Sequence, residues 1–380
     1  MTTDSDVERE LVALARTFAE REIRPVAGEA DRTGQPPLDV IRAAATVGLT
    51  SFDLPAEHGG GGIESLRTAC LVAEELAWGD GPIGALVTSG GFFAGPLVEL
   101  GTAEQQARWL PALCSDDPPL TGLAVTEPGA GSDAAAITTT ATRVDGGYRL
   151  DGAKTWVSGA PLADRYLVYA TVVPGTGSKG ITCFVVSRDD PGLAVGAPLG
   201  KLGSRCYPTA ELHLDGCVVD DDRRVGEEGA GFKGVMQWFE RTRVQLAAGA
   251  VGIGRAALEV AVDYARQREA FGQPIHRFQA VSFRLVDARL RLDQARLMTR
   301  HAAALADAGR PFGVEASMAK IAASEAAWEA ANAALMTLGS YGYSTEYPVE
   351  KWLRDAKLEE IYEGTNDIQR VVVARSMFGR

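Results

Sequence analysis

The stretch Leu120-Thr121-Gly122-Leu123-Ala124-Val125-Thr126-Glu127-Pro128-Gly129-Ala130-Gly131-Ser132-Asp133 marks the point where the chain changes rhythm. Before it, Val7, Leu11, Leu14 and Phe18 step by four, three and four, which places them on one helical face. Pro25 is expected to stop that helix, Leu38, Ile41 and Ala45 begin another, and the glycine run 59–62 forms a turn. From Leu120 the pattern becomes short and β-rich. Residues 120–125, 137–142, 148–150, 165–171, 181–186 and 210–214 read as strands, punctuated by turns such as Asp145-Gly146-Gly147 and Asp190-Pro191-Gly192. From Gly229 the helical period returns, rich in alanine. Phe283, Val286, Leu290 and Leu297 form one stripe, expected to face a bundle core, and residues 316–338 are mostly small and apolar. The chain thus reads as α+β. An N-terminal helical domain (1–119) is followed by a middle antiparallel β-barrel or sandwich (120–225) and a C-terminal four-helix bundle (226–380).

Composition narrows the function classes. A length of 380 residues exceeds what one core normally uses. The 50 acidic residues against 38 basic ones give a net charge of −12, which argues against nucleic acid or an anionic membrane as a partner. No uninterrupted apolar run of membrane-spanning length and no signal-like leader are evident, so a cytoplasmic protein is expected. The five cysteines lie far apart at no zinc or redox spacing and are expected to be reduced thiols. His58, His213, His276 and His301 have no partners at metal-ligand spacing, so no metal site is expected.

Two stretches concentrate glycines, hydroxyls and acids. In 126–133, Gly129 and Gly131 let the backbone approach a ligand, while Thr126 and Ser132 supply hydroxyls. Spacing alone describes a decorated β-turn equally well, and the dinucleotide fingerprint is absent. Gly249, Gly252 and Gly254 lie in a helical run and read as a packing surface. In 354–370, Glu363 precedes a glycine at a break between helical segments, and Thr365 or Asn366 can cap the last helix. A carboxylate at such a break projects into a cleft or is a solvated loop glutamate.

Five pieces now combine: TEPGAGSD (126–133), KTWVSGA (154–160), GEEGAGF (226–232), YARQREAFGQPI (264–275) and RDAKLEEIYEGTND (354–367). In this order and spacing they resemble the acyl-CoA dehydrogenase family along essentially the whole chain. The resemblance implies FAD held between the β-domain and the C-terminal bundle. Thr126, Ser132, Trp156 and Ser158 would line the flavin. Arg268, Phe271 and Gln279 would hold the diphosphate and adenine, commonly from a neighbouring subunit. The turn at Gly339 resembles a further trans-subunit cofactor loop, although Met336 and Ser340 depart from the usual glutamine and glycine. Thr365 and Asn366 would lie near the cofactor. Glu363 would be the catalytic base, with Ser132, Thr242, Arg243 and Gly364 on the substrate side. Some relatives carry the base at the position of Thr242. Glutamate at 363 and threonine at 242 favour the usual arrangement, and Glu240, two residues away, points elsewhere on its helix. The implied activity is α,β-dehydrogenation of an acyl-CoA thioester, with an electron-transferring flavoprotein as acceptor and a homotetramer as assembly. Alternatives are an acyl thioester tethered to a carrier protein, motivated by the unusual Ser204-Arg205-Cys206-Tyr207-Pro208-Thr209, and a flavin monooxygenase on the same fold. A non-catalytic flavoprotein scaffold is a further one.

Overall fold

The computed structural model describes residues 4–379. Helices α1 (Asp4–Phe18) and α2 (Arg24–Thr33) are joined without a break by a π-helical turn, Ala19–Ile23. Pro25 therefore does not stop the helix. It sits in the first turn of α2, where the wider turn before it accommodates the ring and the missing N–H. The helix ends instead at Gly34, whose φ of 69° is the left-handed conformation that closes helices. Next come α3 (Leu38–Thr46), α4 (Leu66–Gly79), α5 (Gly81–Val87), α6 (Gly91–Leu100) and α7 (Ala103–Leu113). Asp80 caps α5, and Thr102 with Gln105 forms a reciprocal capping box on α7.

The middle zone contains β1 (Thr121–Ala124), β2 (Thr140–Val144), β3 (Gly147–Ser158), β4 (Arg165–Thr171), β5 (Ile181–Ser187), β6 (Leu193–Val195), β7 (Thr209–Asp220) and β8 (Arg224–Val225). They form one sheet in the order β6-β7-β3-β2-β4-β5-β8, with β1 added beside β4. The sheet is mixed, which corrects the wholly antiparallel expectation. β1 runs parallel to β4, from Thr121↔Arg165 to Ala124↔Val168, and β2 meets β4 in parallel at Thr140↔Thr171. The long excursion between β1 and β4 supplies the crossover that a parallel pair requires. β4 and β5 are buried on both faces. Tyr166, Val168, Phe184 and Val186 pack inward against β3 and β7, whereas Leu167, Tyr169, Cys183 and Val185 face Phe93, Leu97 and Trp109 of the helical zone.

The third zone holds α8 (Gly231–Gln267), a small hairpin of β9 (Glu269–Ala270) and β10 (Gln273–Pro274), then α9 (Gln279–Asp307), α10 (Gly313–Leu338), α11 (Ser340–Tyr343), α12 (Val349–Leu358) and α13 (Asn366–Phe378). The two helical zones share a core, with α4 lying against α8 and α9. By length and composition α8 could cross a membrane, but its apolar window is 67% buried inside this core. The stripe Phe283, Val286, Leu290 and Leu297 does not face the bundle. All four are exposed, and α9 turns Leu285, Ala288, Leu292 and Ala295 inward. Helix α9 is apolar on two faces, and periodicity cannot say which of them the chain's own core uses.

The glycines of α8 do pack. A methyl on Gly252 would lie 2.3 Å from the Glu74 carbonyl oxygen, and one on Gly254 would lie 2.5 Å from Leu292. Gly252→Ala is expected to cost about 1–3 kcal/mol by overpacking, read as a lowered denaturation midpoint. An unchanged midpoint would mean that α4 and α8 can separate freely.

Candidate active site

The two glycine- and lysine-bearing motifs of the β-domain are folded onto each other. Lys154 and Glu127, both buried, pair at 2.7 Å, and Thr155 N–H donates to the Thr126 carbonyl at 2.9 Å. Glu127 also accepts from the N–H groups of Thr138 and Thr139 at 2.6 and 2.9 Å. Burial alone would raise this carboxyl, but Lys154 and these donors outweigh it and hold it at about 2. The pair ties 126–133 to β3, and next to it the β3–β7 register is irregular between Lys154 and Val157. In that irregularity Trp156 takes φ 58° and is 59% exposed, with Ser158 also exposed. Trp156 is therefore not a core aromatic. Methyl groups built on Gly129 and Gly131 would meet nothing within 4 Å, and Ser132 is exposed beside them. An open turn with hydroxyls, next to a bare indole face, fits a planar, polar-edged cofactor such as FAD.

Glu363 lies on the turn between α12 and α13. The Thr365 hydroxyl caps α13 by accepting from Ile368 N–H at 3.2 Å, so that helix starts at Asn366. The chain reverses through Glu363 at φ 55° and Gly364 at φ 87°. The Glu363 carbonyl accepts from the Arg243 guanidinium at 3.4 and 3.5 Å and from the Gln369 amide at 3.3 Å. Its carboxylate accepts from the Thr242 hydroxyl at 3.0 Å. Both positions considered for a base thus meet, one on α8 and one on the loop. Glu240 points away, against Gly313 at the start of α10. Among the described residues none takes up the Glu363 main-chain N–H in a hydrogen bond, which leaves a donor next to the carboxylate. Burial raises the Glu363 carboxyl to about 7, with Arg243, Thr242 and Lys320 opposing it.

The two halves of the site are held together by residues 203–208. Gly159 N–H, next to Ser158, donates to the Pro208 carbonyl at 2.8 Å, and Ser204 N–H donates to Asp355 of α12 at 2.6 Å. The strand end carrying Trp156 is thus anchored to the helix that leads into Glu363. Among the described residues, the non-glycine positions with left-handed backbone are Trp156, Ser204, Phe271 and Glu363. Such strain persists where the surroundings over-determine it, which is typical of ligand-binding sites.

Arg268, Phe271 and Gln279 lie elsewhere, at the far end of α8. Phe271 is 95% exposed at the tip of the β9–β10 hairpin. Tyr264 and Tyr341 both lie edge-on to Tyr347, at 6.1 and 6.0 Å, so the hairpin and the Gly339 turn share one end of the bundle. From Arg243 to Arg268 the helix rises roughly 37 Å at 1.5 Å per residue. These residues are not gathered with Glu363 in one chain. Asn366 opens α13. It is buried, with its amide engaged by Lys320 and Ser324 at 2.9 and 3.0 Å, so it braces the loop from inside. The pair Glu127–Lys154, the amide of Gln369 and the buried Lys320 were not singled out in the sequence. The first pair lies inside two quoted motifs, but nothing in spacing shows that they touch.

The chain matches the acyl-CoA dehydrogenase N-terminal domain over residues 5–117, the middle domain over 122–217 and the C-terminal domain over 229–378. It is 40% identical over 365 residues to the human mitochondrial short-chain specific acyl-CoA dehydrogenase, covering 96% of this chain and 88% of that one. The solved butyryl-CoA dehydrogenase of Megasphaera elsdenii superposes with a TM-score of 0.94 at 34% identity, over 99% of both chains. A solved prolyl acyl carrier protein oxidase superposes with a TM-score of 0.94 at 31% identity, over 100% of both. The three matched domains lie in the order of the folded zones, and the chain belongs to the acyl-CoA dehydrogenase family of FAD-dependent oxidoreductases.

Proposed function

We propose that this enzyme removes the α-proton of an acyl-CoA thioester with Glu363 and releases the α,β-unsaturated product. The observation carrying this reading is the Glu363 carboxylate, held by Thr242 at 3.0 Å in a left-handed turn, with burial raising it to about 7. A base of that strength is near half-ionised at neutral pH, where proton abstraction is most effective. The free N–H of Glu363 is the protein donor best placed for a thioester carbonyl, whose oxygen gains charge as the proton leaves. Arg243 and Gln369 fix the peptide carbonyl of the same residue, so the main chain and the carboxylate are oriented together. FAD, when bound, supplies the acceptor for the hydride leaving the β-carbon. Thr126, Ser132, Trp156 and Ser158 are the residues proposed to hold its ring end, and Gly364, where an added methyl would lie 2.5 Å from the Gln369 amide nitrogen, lets Gln369 close onto the loop that presents the base to the acyl group.

Arg268, Phe271, Gln279 and the Gly339 turn are assigned to the cofactor of a neighbouring copy, because α8 carries them too far from Glu363. The exposed stripe of α9 gives such a copy an apolar surface to cover, in keeping with a homotetramer. Reoxidation by an electron-transferring flavoprotein is proposed from the family resemblance. The likeness to a carrier-protein oxidase keeps a tethered substrate as the second reading. A monooxygenase is disfavoured by the positioned base. The test is anaerobic flavin bleaching with a panel of straight and branched acyl-CoA esters, run beside the same acyl groups on a pantetheinyl carrier protein. Bleaching by CoA esters is expected. Bleaching by carrier thioesters alone would replace the substrate, and bleaching by neither would end the dehydrogenase reading.

A further inference from the structure

Behind the base lies a cation that the reaction as described does not use. Lys320 of α10 is only 2% exposed, and among the described residues its one hydrogen-bond partner is the side-chain Oδ1 of Asn366 at 2.9 Å. Asn366 is the first residue of α13, three positions after Glu363, and Ser324, one turn along α10, holds the other end of the same amide at 3.0 Å. A buried ammonium with one neutral partner is costly unless its charge is balanced nearby. The groups facing it are Glu359, Glu360 and Glu363 on the loop and Arg243 on α8. Glu359 is buried as well and accepts from the Tyr362 hydroxyl at 3.0 Å through both of its oxygens. The loop therefore carries two buried or half-buried carboxyls and a lysine beneath them.

We propose that Lys320 is a positioning residue for the catalytic base: it anchors the loop through Asn366, and its buried charge favours the carboxylate form of Glu363. This rests on Glu363 being the base. Burial lowers Lys320 to about 8 while Glu359 and Glu363 oppose that shift, and burial raises Glu359 to about 8. The lysine is thus still largely protonated at neutral pH, but it stands close to its own titration. As pH rises through that value its support for the neighbouring carboxylate fades. Arg243 also favours the ionised form of Glu363 and does not titrate in this range. Removing Lys320 should therefore shift the base upward without abolishing its ionisation.

The test uses FAD-loaded Lys320→Met and Lys320→Gln beside the wild type and Glu363→Gln. kcat is measured from pH 5.5 to 9.5 with the acyl-CoA that bleaches the flavin fastest, and pH-difference infrared spectra follow the carboxyl band that Glu363→Gln removes. Both lysine variants are expected to move the acidic limb of kcat and the infrared midpoint upward, by up to about one pH unit. A full unit is about a fivefold loss at neutral pH, because the base starts near half-ionised there, and it is recovered under alkaline conditions. Lys320→Gln keeps a donor to Asn366 and should leave hydrogen exchange of residues 359–366 unchanged, whereas Lys320→Met should loosen it. Lysine variants with a wild-type midpoint, beside an inactive Glu363→Gln, would overturn the role of Lys320 alone. An active Glu363→Gln would overturn both readings.

Discussion

Glu363→Gln is expected to leave a folded, FAD-loaded protein that dehydrogenates acyl-CoA about 10²–10⁴-fold more slowly, the usual contribution of a general base. Glutamine keeps the size of the side chain and can still bond Thr242, and the peptide carbonyl held by Arg243 and Gln369 is untouched. Only the proton acceptor is lost. Stopped-flow bleaching with saturating acyl-CoA separates this loss from binding, since the substrate should still perturb the flavin spectrum. Retention of more than about a tenth of the rate would take Glu363 out of the base role. The pH signature is equally definite. With the carboxyl at about 7, activity should rise as pH increases through that value and fall away below it. The stability linkage has the opposite sign. A carboxyl raised by folding contributes stability below its unfolded value of about 4.3 and loses it as pH rises through the folded value. Glu363→Gln should therefore be at least as stable as the wild type at pH 8. A site that is less stable when poised for chemistry is the usual cost of a buried base.

The architecture was legible where one period dominates a segment. Residues 165–171 read as a strand to the residue, because Arg165 and Thr171 bracket an unbroken run of apolar and aromatic side chains, Tyr166 to Ala170, and β4 is buried on both faces. Local signals failed where a long-range partner decides the outcome. Pro25 has the form of a helix stop, but the π turn at Ala19–Ile23 carries the helix past it. The α9 stripe is real, yet it faces away from the chain's own bundle because a second apolar face serves that purpose. β3 and β7 run to Ser158 and Asp220, well beyond the short segments read at 148–150 and 210–214, because their pairing with each other supports polar residues that propensity alone rejects.

The site divided along the same line. Glu363, Thr242 and Arg243 follow from the family resemblance, and the fold brings all three together from segments 120 residues apart. What the motifs could not show is the support behind them. Lys154 with Glu127, and Lys320 with Asn366, are contacts between residues whose distance in space no spacing rule gives. Trp156 shows the limit from the other side. An aromatic on a strand is ordinarily core, but Trp156 sits at φ 58° in the register irregularity after the buried Lys154 and faces outward.

Lys351→Met is expected to produce the largest loss of stability, about 3–5 kcal/mol, because it strips the cation from a buried ionic triad. Lys351 on α12 pairs with Asp80, the cap of α5, and with Asp355 at 2.6 Å, and all three are buried. Asp80 also accepts from Ile83 N–H at 3.2 Å, and Asp355 accepts from Ser204 N–H at 2.6 Å. One lysine thus joins the N-terminal helices, the 203–208 segment and the helix leading to Glu363. In the wild type, its two carboxylates raise Lys351, so its contribution is complete below its unfolded value near 10.4 and persists through neutral pH. Burial already raises Asp80 to about 6 against the pull of Lys351, and without the lysine it should rise further. A carboxyl raised in the fold costs stability as pH climbs through its folded value, so the variant should be more destabilised at pH 8 than at pH 5. Denaturant unfolding at both values checks the magnitude and the sign. Equal losses at the two values would mean that water or a neighbouring group replaces the missing charge. A smaller loss at pH 8 would show that the triad is not buried as described. Because Asp355 also fixes Ser204, the variant should in addition weaken the tie between the Trp156 strand and the base loop, so kcat should fall even under conditions where the protein remains folded.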